Sequence, residues 1–170
     1  MTRALRLIWC GLGAAIGLAL ALYLVKPPAA PLLLASLGGS LVFLFGLTSA
    51  PAAQPRALFG GHLGGALIGI GCFHYLCDAL WVFALAQGLT LCCMLLSGTV
   101  HPPAGANPVI MIYTHAHWSA LLQPVLVGVT TLAAAAFLWS RLYPGPSHYP
   151  VKWLDRSPPS IILDAWRAKT

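Results

Sequence analysis

"LWVFALAQGLTLCCMLLSGTVHPPAGANP", residues 80–108, joins a long uncharged, mostly apolar stretch to a histidine, a proline pair and an asparagine–proline step. The apolar part has the length of a helix that crosses a bilayer, because about 20 helical residues cover roughly 30 Å of hydrocarbon. A soluble domain rarely needs so apolar an approach to a loop of this kind. This stretch therefore indicates that lipid surrounds the chain.

The composition leads to the same conclusion. The chain has 170 residues, of which 59% are hydrophobic and 7% charged, and its mean hydropathy is +0.83. Soluble domains carry about 25% charged residues, so most of this apolar surface must face lipid. The net charge of +6 comes from basic residues that stand singly at the ends of apolar runs. That pattern is typical of headgroup contact, not of nucleic-acid binding.

Apolar runs of about 18 to 23 residues recur along the chain. They are Leu7–Val25, Pro31–Thr48, Leu58–Cys77, Ala79–Ser97 and Trp118–Ser140. We expect an all-α fold, a polytopic transmembrane helix bundle of about five spans with two proline-broken, re-entrant-like loops. Residues 1–141 form the transmembrane domain, and residues 142–170 form an interfacial or soluble tail. The first run exceeds a signal peptide's apolar stretch and lacks a clean cleavage site, which favours a retained helix.

Two loops share one plan: proline, small residues, a carboxamide and proline. They are Pro51–Pro55, with Gln54, and Pro103–Pro108, with Asn107. Each lies between apolar runs, and the short connection around Asp78, which we expect to cap the fourth run, predicts a hairpin. Both loops then lie on one side of the membrane, as a parallel repeat, and transporters place substrate sites in such repeats.

Proline breaks regular backbone, and irregular backbone near membrane depth survives only inside protein or beside a watery cavity. After Pro103 the chain can form a half-helix whose amides, at Gly105 and Ala106, favour an anion. Arg56 either snorkels to lipid headgroups or attracts an anion at a cavity mouth. His101 either caps a helix end or donates to the anion.

The block "GTVHPPAGANP", residues 98–108, and the block "AQPRALFGGH", residues 53–62, resemble the HPP family of integral membrane proteins. The stretch "SRLYPGPSHYPVKW", residues 140–153, resembles that family's segment after the last helix. The resemblance implies a transporter, and plant members of the family are linked with nitrite movement across the chloroplast envelope. Family members are usually described with four spans, where the apolar runs here indicate five.

We therefore predict a membrane transporter or channel for a small inorganic anion, nitrite first, and not an enzyme. No cofactor or metal is expected, since His115 and His117 lack further ligands. The predicted substrate-binding residues are Gln54, Arg56, His62, His101, Pro102, Pro103, Gly105, Ala106 and Asn107. An alternative from another class is a haem-binding or other redox membrane subunit, in which histidines such as His62, His74 and His101 face each other across helices.

The remaining expectations concern assembly and orientation. Five helices give few walls for a pore, so we expect a homo-oligomer packed through the glycine face of the third run, at Gly61 and Gly65. An odd number of spans places the two termini on opposite sides. The basic residues of the tail favour a cytoplasmic C-terminus, in a bacterial inner membrane. A short amphipathic helix is expected from Pro159.

Overall fold

The computed structural model describes residues 2–25, 35–142 and 148–158 of the chain. The α-helices are α1 (Arg3–Val25), α2 (Ala35–Leu41), α3 (Pro55–Tyr75), α4 (Leu80–Ser97), α5 (Asn107–Tyr113) and α6 (Val127–Arg141). Short 3₁₀ helices lie at Pro51–Ala53, Pro102–Ala106 and Trp118–Leu121, and π-helical turns at Val42–Gly46 and Leu122–Leu126. In these three described ranges, β-structure is limited to one bridge between Thr99 and Ser157. The prediction of an all-helical fold is confirmed.

Four helices in the described ranges are long and apolar enough to cross a membrane. They are Arg3–Val25, Pro55–Tyr75, Leu80–Ser97 and Trp118–Arg141. The second apolar run differs from the others, because its described part is a shorter helix, Ala35–Gly46. A helix of that length rises about 18 Å, less than the hydrocarbon layer. Residues 31–34 of the predicted run lie outside the described residues, as does the helix expected from Pro159.

The directions of the helices follow from their contacts. Trp9 near the start of α1 stacks on Trp139 near the end of α6, with ring centroids 4.4 Å apart. At the other end of α1, the backbone oxygen of Val25 accepts a hydrogen bond of 3.0 Å from Gln123 Nε2. The two helices are therefore antiparallel, and the bundle end that carries Trp9 and Trp139 also carries Arg141. We call this end the strap end and the opposite one the far end.

The next three helices alternate in direction. The face of Gly13, near the strap end of α1, meets Phe45, while the face of Gly128 meets Leu37 and Val25 near the far end, so α2 and its π-helical turn run back toward the strap end. Helix α3 starts at the strap end and α4 returns to it, because Arg56 Nη2 donates to Ser97 O at 2.7 Å. The predicted hairpin between the third and fourth runs is thus present.

The segment after α4 does not turn back as a re-entrant loop would. It runs parallel to α3: Thr99 lies beside Gly60, Ala104 beside Gly65, and Pro108 beside Gly69. It reaches the far end, where His115 Nε2 lies 2.9 Å from Asp78 Oδ2. The segment therefore crosses the bundle as a proline-led 3₁₀ helix followed by the short helix α5, and not as one continuous helix.

This passage corrects the predicted placement of the termini. With it, the start of α1 and the end of α6 both lie at the strap end, instead of at opposite ends. Asp78 is also not a helix cap, since Ala79 occupies the N-cap position of α4 without a side-chain bond. The carboxylate of Asp78 faces His115 of the passing segment instead.

The glycine face of α3 is occupied inside the chain. A Cβ atom on Gly61 would lie 3.0 Å from His101 Cβ, and one on Gly69 would lie 2.6 Å from Pro108 Cα. These glycines let non-helical backbone pack directly on α3, as small residues do in membrane helices. The predicted use of this face for oligomer contact is therefore wrong.

Residues 148–158, which we call the strap, cross the strap end. Tyr149 is buried as part of the apolar core, next to Ser140 at the end of α6, and burial raises the pKa of its phenol. Ser157 pairs with the segment after α4: its amide donates to Gly98 O at 2.9 Å, and Val100 N donates to Ser157 O at 2.7 Å. The strap is therefore bonded to the membrane domain and does not lie loosely on it.

Candidate functional site

A buried polar network lies at the centre of the strap-end half of the bundle. It comprises Ser40, His62, His101 and Asn107, each with at most 2% of its surface exposed. Since His62 follows Pro55, the first residue of α3, by seven positions, it lies about 10 Å along the helix. Polar side chains at such depth are expensive in lipid and commonly serve function. We refer to these residues as the histidine network.

Ser40 joins the two histidines. Its Oγ lies 2.9 Å from His62 Nε2 and 2.8 Å from His101 Nε2, and also 2.9 Å from Ser36 O. The two imidazole rings are 5.2 Å apart between centroids. One hydroxyl from α2 thus bridges α3 and the passing segment.

The outer nitrogen of each ring is held by a different loop. His101 Nδ1 lies 2.6 Å from Ala52 O, in the first proline-led loop. Asn107 Nδ2 donates to His62 O at 2.9 Å and lies 3.2 Å from His62 Nδ1. The two proline-led loops, which the sequence places on one side of the membrane, are therefore in direct contact.

Local sequence explains how these groups come together. Both loops fold alike, as a proline-led 3₁₀ helix followed by an α-helix with proline in its first turn. Proline suits a helix start because its missing amide hydrogen has no helical partner there. Gly39 lets the second loop approach α2, because a Cβ atom there would lie 3.0 Å from Pro103 Cβ. This close approach places Ser40 against His101.

Gln54 lies outside the histidine network. Its Nε2 donates to Thr48 O at 2.9 Å and to Ala50 O at 3.0 Å. Its Oε1 accepts from Val151 N and Lys152 N, both at 3.0 Å. The buried carboxamide thus has four backbone partners and fastens the strap to the first loop.

Arg56 also contacts the strap. Besides its bond to Ser97 O, its Nη1 lies 3.5 Å from Leu154 O, and its backbone amide donates to Trp153 O at 3.3 Å. Its Nε is buried and has no hydrogen-bond partner among the described residues. The guanidinium thus joins the end of α4 to the strap, and one of its donors is unsatisfied among the described residues.

The other predicted site residues form the 3₁₀ helix of the second loop. Pro103 packs on α2, while Pro102 is exposed. Gly105 and Ala106 are half-buried, and the face of Gly105 lies near Gln87 of α4. These residues lie beside the histidine network but add no polar side chain to it.

A separate cavity of about 360 Å³ opens at the strap end between α1, α6 and the π-helical turn Val42–Gly46 with the residues that follow it. Its lining includes Arg6, Trp9, Thr48 and Ala50. Thr48 and Ala50 are also the backbone acceptors of Gln54. The cavity therefore adjoins the start of the first loop, and its lining includes none of the four residues of the histidine network.

Two parts of this arrangement were not predicted from the sequence. Ser40 stands in an apolar run and carries no signal beyond the small residues Gly38 and Gly39 before it. The proline and aromatic residues of the strap indicate an interfacial segment. They give no sign that its backbone pairs with Gln54 and with residues 98–100. Predicted residues that do meet in the histidine network are His62, His101 and Asn107.

Comparisons with known proteins agree with this architecture. Two transmembrane proteins of Dictyostelium discoideum are similar to the chain. One is 30% identical over 125 residues, 66% of this chain and 44% of that protein; the other is 30% identical over 129 residues, 71% and 41%. The chain thus spans less than half the length of these relatives, whose names say only that they are transmembrane proteins. No solved structure matches it.

The family model for the HPP transmembrane region matches residues 1–150. This range contains α1 to α6, both proline-led loops and all four residues of the histidine network. The chain is therefore an integral membrane protein that belongs to the HPP transmembrane family.

Proposed function

We propose that this protein is a transporter, and not an enzyme, that carries a small inorganic anion across the membrane, with nitrite as the first candidate. The observation that carries the proposal is the histidine network. Ser40, His62, His101 and Asn107 are buried at membrane depth beside a backbone that is not α-helical. Lipid tolerates neither feature, and both are typical of protein-lined transport sites.

The charges at the strap end support an anion. Arg6 faces the cavity there, and Arg56 has a buried donor without a partner among the described residues. The acids in the described ranges, Asp78 and Asp155, are each paired, with His115 and Lys152 respectively. Cations at a mouth raise the local anion concentration by an attraction that salt weakens.

Nitrite fits a site with few donors because it is small and carries a single charge. The resemblance of the sequence blocks to the HPP family also favours nitrite. In this proposal the anion enters past Arg56 and passes the second loop, at Gly105 and Ala106, close to His101. Gln54 acts there by holding the strap and the first loop in place, and not through a free donor of its own.

The haem alternative receives no support from the ring positions. Both Nε2 atoms, of His62 and His101, lie within 2.9 Å of the same Ser40 oxygen. Axial histidines hold a haem iron from opposite faces of the porphyrin, so their coordinating nitrogens face each other across its plane. The rings here converge on one hydroxyl and leave no such plane between them.

We also propose a homo-oligomer, through a face other than the glycine face of α3. Gln87 is exposed in the middle of α4, next to the half-exposed Gly105. An exposed carboxamide and non-helical backbone are both unfavourable against lipid. A second copy packed on this face would cover them. Cross-linking of Gln87→Cys chains in membranes tests this; a strictly monomeric pattern at all protein densities argues against it.

For orientation, we propose that the strap end faces the cytoplasm. The described basic residues with fixed charge lie there: Arg3, Arg6, Arg56, Arg141, Lys152 and Arg156. Lysine and arginine near span ends set orientation through the positive-inside rule. In a chain without its native cysteines, Thr2→Cys and Lys152→Cys should both resist an impermeant thiol reagent added outside intact cells. Labelling of either one from outside argues against this orientation.

The test of the transport proposal is nitrite uptake by liposomes that contain the purified protein. We expect uptake above that of protein-free vesicles, and a decrease of about tenfold in Arg56→Gln, the effect of losing roughly 1.4 kcal/mol of favourable interaction. The matched control is Lys152→Gln, which removes a cation that is paired and exposed on the strap. No protein-dependent uptake, or equal uptake by the parent and Arg56→Gln, contradicts the proposal.

A further inference from the structure

The hydrogen positions in the histidine network follow from the chemistry of its outer partners. The carbonyl oxygen of Ala52 can only accept, so His101 Nδ1, 2.6 Å away, must carry a hydrogen. In the neutral ring, His101 Nε2 is then an acceptor. This nitrogen lies 2.8 Å from Ser40 Oγ, which can donate to it.

His62 has the opposite arrangement. Asn107 Nδ2 donates to His62 O, which fixes the orientation of the carboxamide with its NH₂ group toward the ring. The same NH₂ group lies 3.2 Å from His62 Nδ1, which must therefore be an acceptor. The hydrogen of the neutral ring is then on Nε2 and is donated to Ser40 Oγ.

A proton added to His62 would place an N–H on Nδ1, directly against the NH₂ group of Asn107. Turning the carboxamide over would not relieve this, because its oxygen would then face His62 O. The contacts of Asn107 therefore keep His62 neutral.

A proton added to His101, in contrast, is accommodated without moving a heavy atom. Its new Nε2–H donates to Ser40 Oγ, and the Ser40 hydroxyl hydrogen rotates to Ser36 O, 2.9 Å away. Ser40 Oγ then accepts from His62 and His101 and donates once, which is the full capacity of a hydroxyl. The network thus has two complete hydrogen-bond patterns that differ by one proton.

We propose that His101 is the proton site of a proton-coupled anion transporter, in which one proton and one anion occupy the protein together. This inference rests on the proposed function. No bond other than the N–H bond at His101 Nε2 forms or breaks, and the proton comes from water and returns to it. Each cycle carries one positive and one negative charge and is therefore electroneutral.

The charges around His101 account for the coupling. The titratable group that faces it among the described residues is His62, which Asn107 keeps neutral. From the other packed elements it meets Ser40, Phe43 and the carbonyl of Ala52. A buried cation without a carboxylate is costly. A bound anion therefore favours protonation of His101, and protonation of His101 favours binding of the anion. Such coupling is reciprocal.

The neighbouring charges do not replace the anion. Asp78 is bonded to His115 at the far end, and Asp155 is bonded to Lys152 on the strap. The guanidinium of Arg56 is bonded to Ser97 O and Leu154 O, at the surface of the strap end. None of these three groups contacts His101.

The experiment measures sodium nitrite uptake into liposomes that contain the protein and an internal pH dye. Nitrous acid crosses lipid unaided, so protein-free vesicles supply the background at each pH. A gradient that is acidic outside should accelerate protein-dependent uptake and acidify the lumen, with one proton for each nitrite. An imposed potassium diffusion potential should leave the rate unchanged, because the cycle is electroneutral.

Variants assign the proton site. In His101→Gln the proton gradient should no longer accelerate uptake. We expect the lost acceleration to be about tenfold or more, which is the scale of coupling between two ligands. Ser40→Ala keeps both rings and should lose it too, so the test stands if His101→Gln does not fold. His62→Gln should be slower but still respond to the gradient. His115→Gln, the same substitution at the far end, should behave like the parent.

The outcomes separate the two proposals. Nitrite uptake that follows the potential and ignores the proton gradient overturns the proton inference and leaves the transport proposal standing. A gradient response retained in both His101→Gln and Ser40→Ala also overturns it, as does loss of the response in His62→Gln alone. Absence of protein-dependent uptake overturns both proposals.

Discussion

The two proline-led loops share one sequence plan and one local fold, but their carboxamides act in different places. Gln54 comes after the first 3₁₀ helix and makes four bonds to backbone, two to residues just before its own loop and two to the strap. Asn107 comes after the second and makes its contacts with His62 in the interior. The first loop thus closes the strap end, and the second places polar groups at membrane depth.

The difference arises from the helix that each loop leads into. After Gln54 the chain continues as a full-length helix, α3, whose start is buried and bonded to the strap. After Ala106 it continues as the short α5, which packs directly against the glycine face of α3. Of two loops with similar sequences, the first therefore fastens the strap, and the second contributes to the buried histidine network.

The largest effect is expected from Gly69→Ala, which tests whether the second loop needs the glycine face. The new Cβ would lie 2.6 Å from Pro108 Cα and 2.7 Å from Pro108 O, and backbone cannot move aside cheaply. We expect destabilisation of about 3 kcal/mol, at the upper end for over-packing. Thermal unfolding of the purified protein in detergent measures it.

Gly71→Ala is the matched control, because a Cβ at that position of the same helix meets nothing within 4 Å. It should be neutral or slightly stabilising, since alanine favours helix over glycine. Equal melting temperatures for the two variants would mean that the passing segment does not pack on α3.

The next effect in size is expected from Gln54→Ala, which tests the role of the first loop. Removing the carboxamide leaves the amides of Val151 and Lys152 without their acceptor. Because both residues are exposed and water can reach them, we expect a loss of about 0.5–1.5 kcal/mol for each bond. The strap should then open more often, and trypsin should cleave after Lys152 or Arg156 faster than in the parent. The time course of cleavage in detergent measures this.

Asn107→Ala is the contrasting variant for the same measurement. It removes a buried carboxamide from the interior and leaves the strap's bonds intact, so cleavage of the strap should stay near the parent rate. Faster cleavage in Asn107→Ala than in Gln54→Ala would remove the distinction between the two loops.

Much of this comparison could be foreseen from the sequence. Apolar length predicted the long helices, and the short connection around Asp78 predicted that the two proline-led loops lie on the same side. Apolar length could not reveal the passage of residues 98–117, because its helical pieces are each too short to span. The glycines at 61, 65 and 69 indicated close packing correctly, but spacing alone does not say whether the partner is another copy or the same chain.

The features that could not be predicted from the sequence have a common physical cause. Ser40 acts through one hydroxyl in an apolar run, and the strap is held mainly through backbone groups, which every sequence possesses. The sequence assigned Gln54 and Arg56 to the anion because free polar side chains near a loop suggest a ligand. Their observed partners are largely carbonyls and amides, whose positions depend on the folded chain.

The smallest effect is expected from Asp78→Asn at the far end, which tests whether the second loop is held along its length or at its exit. Asp78 and His115 are both more than half exposed, and their contact is 2.9 Å long. Exposed pairs contribute about 0–1 kcal/mol and are screened by salt. If packing on α3 fixes the passing segment, Asp78→Asn should lower the free energy of unfolding by less than about 1 kcal/mol. The loss should shrink further in high salt, and thermal unfolding at two salt concentrations measures both. A loss comparable to that of Gly69→Ala would mean that the exit contact, and not the glycine face, holds the segment across the bundle.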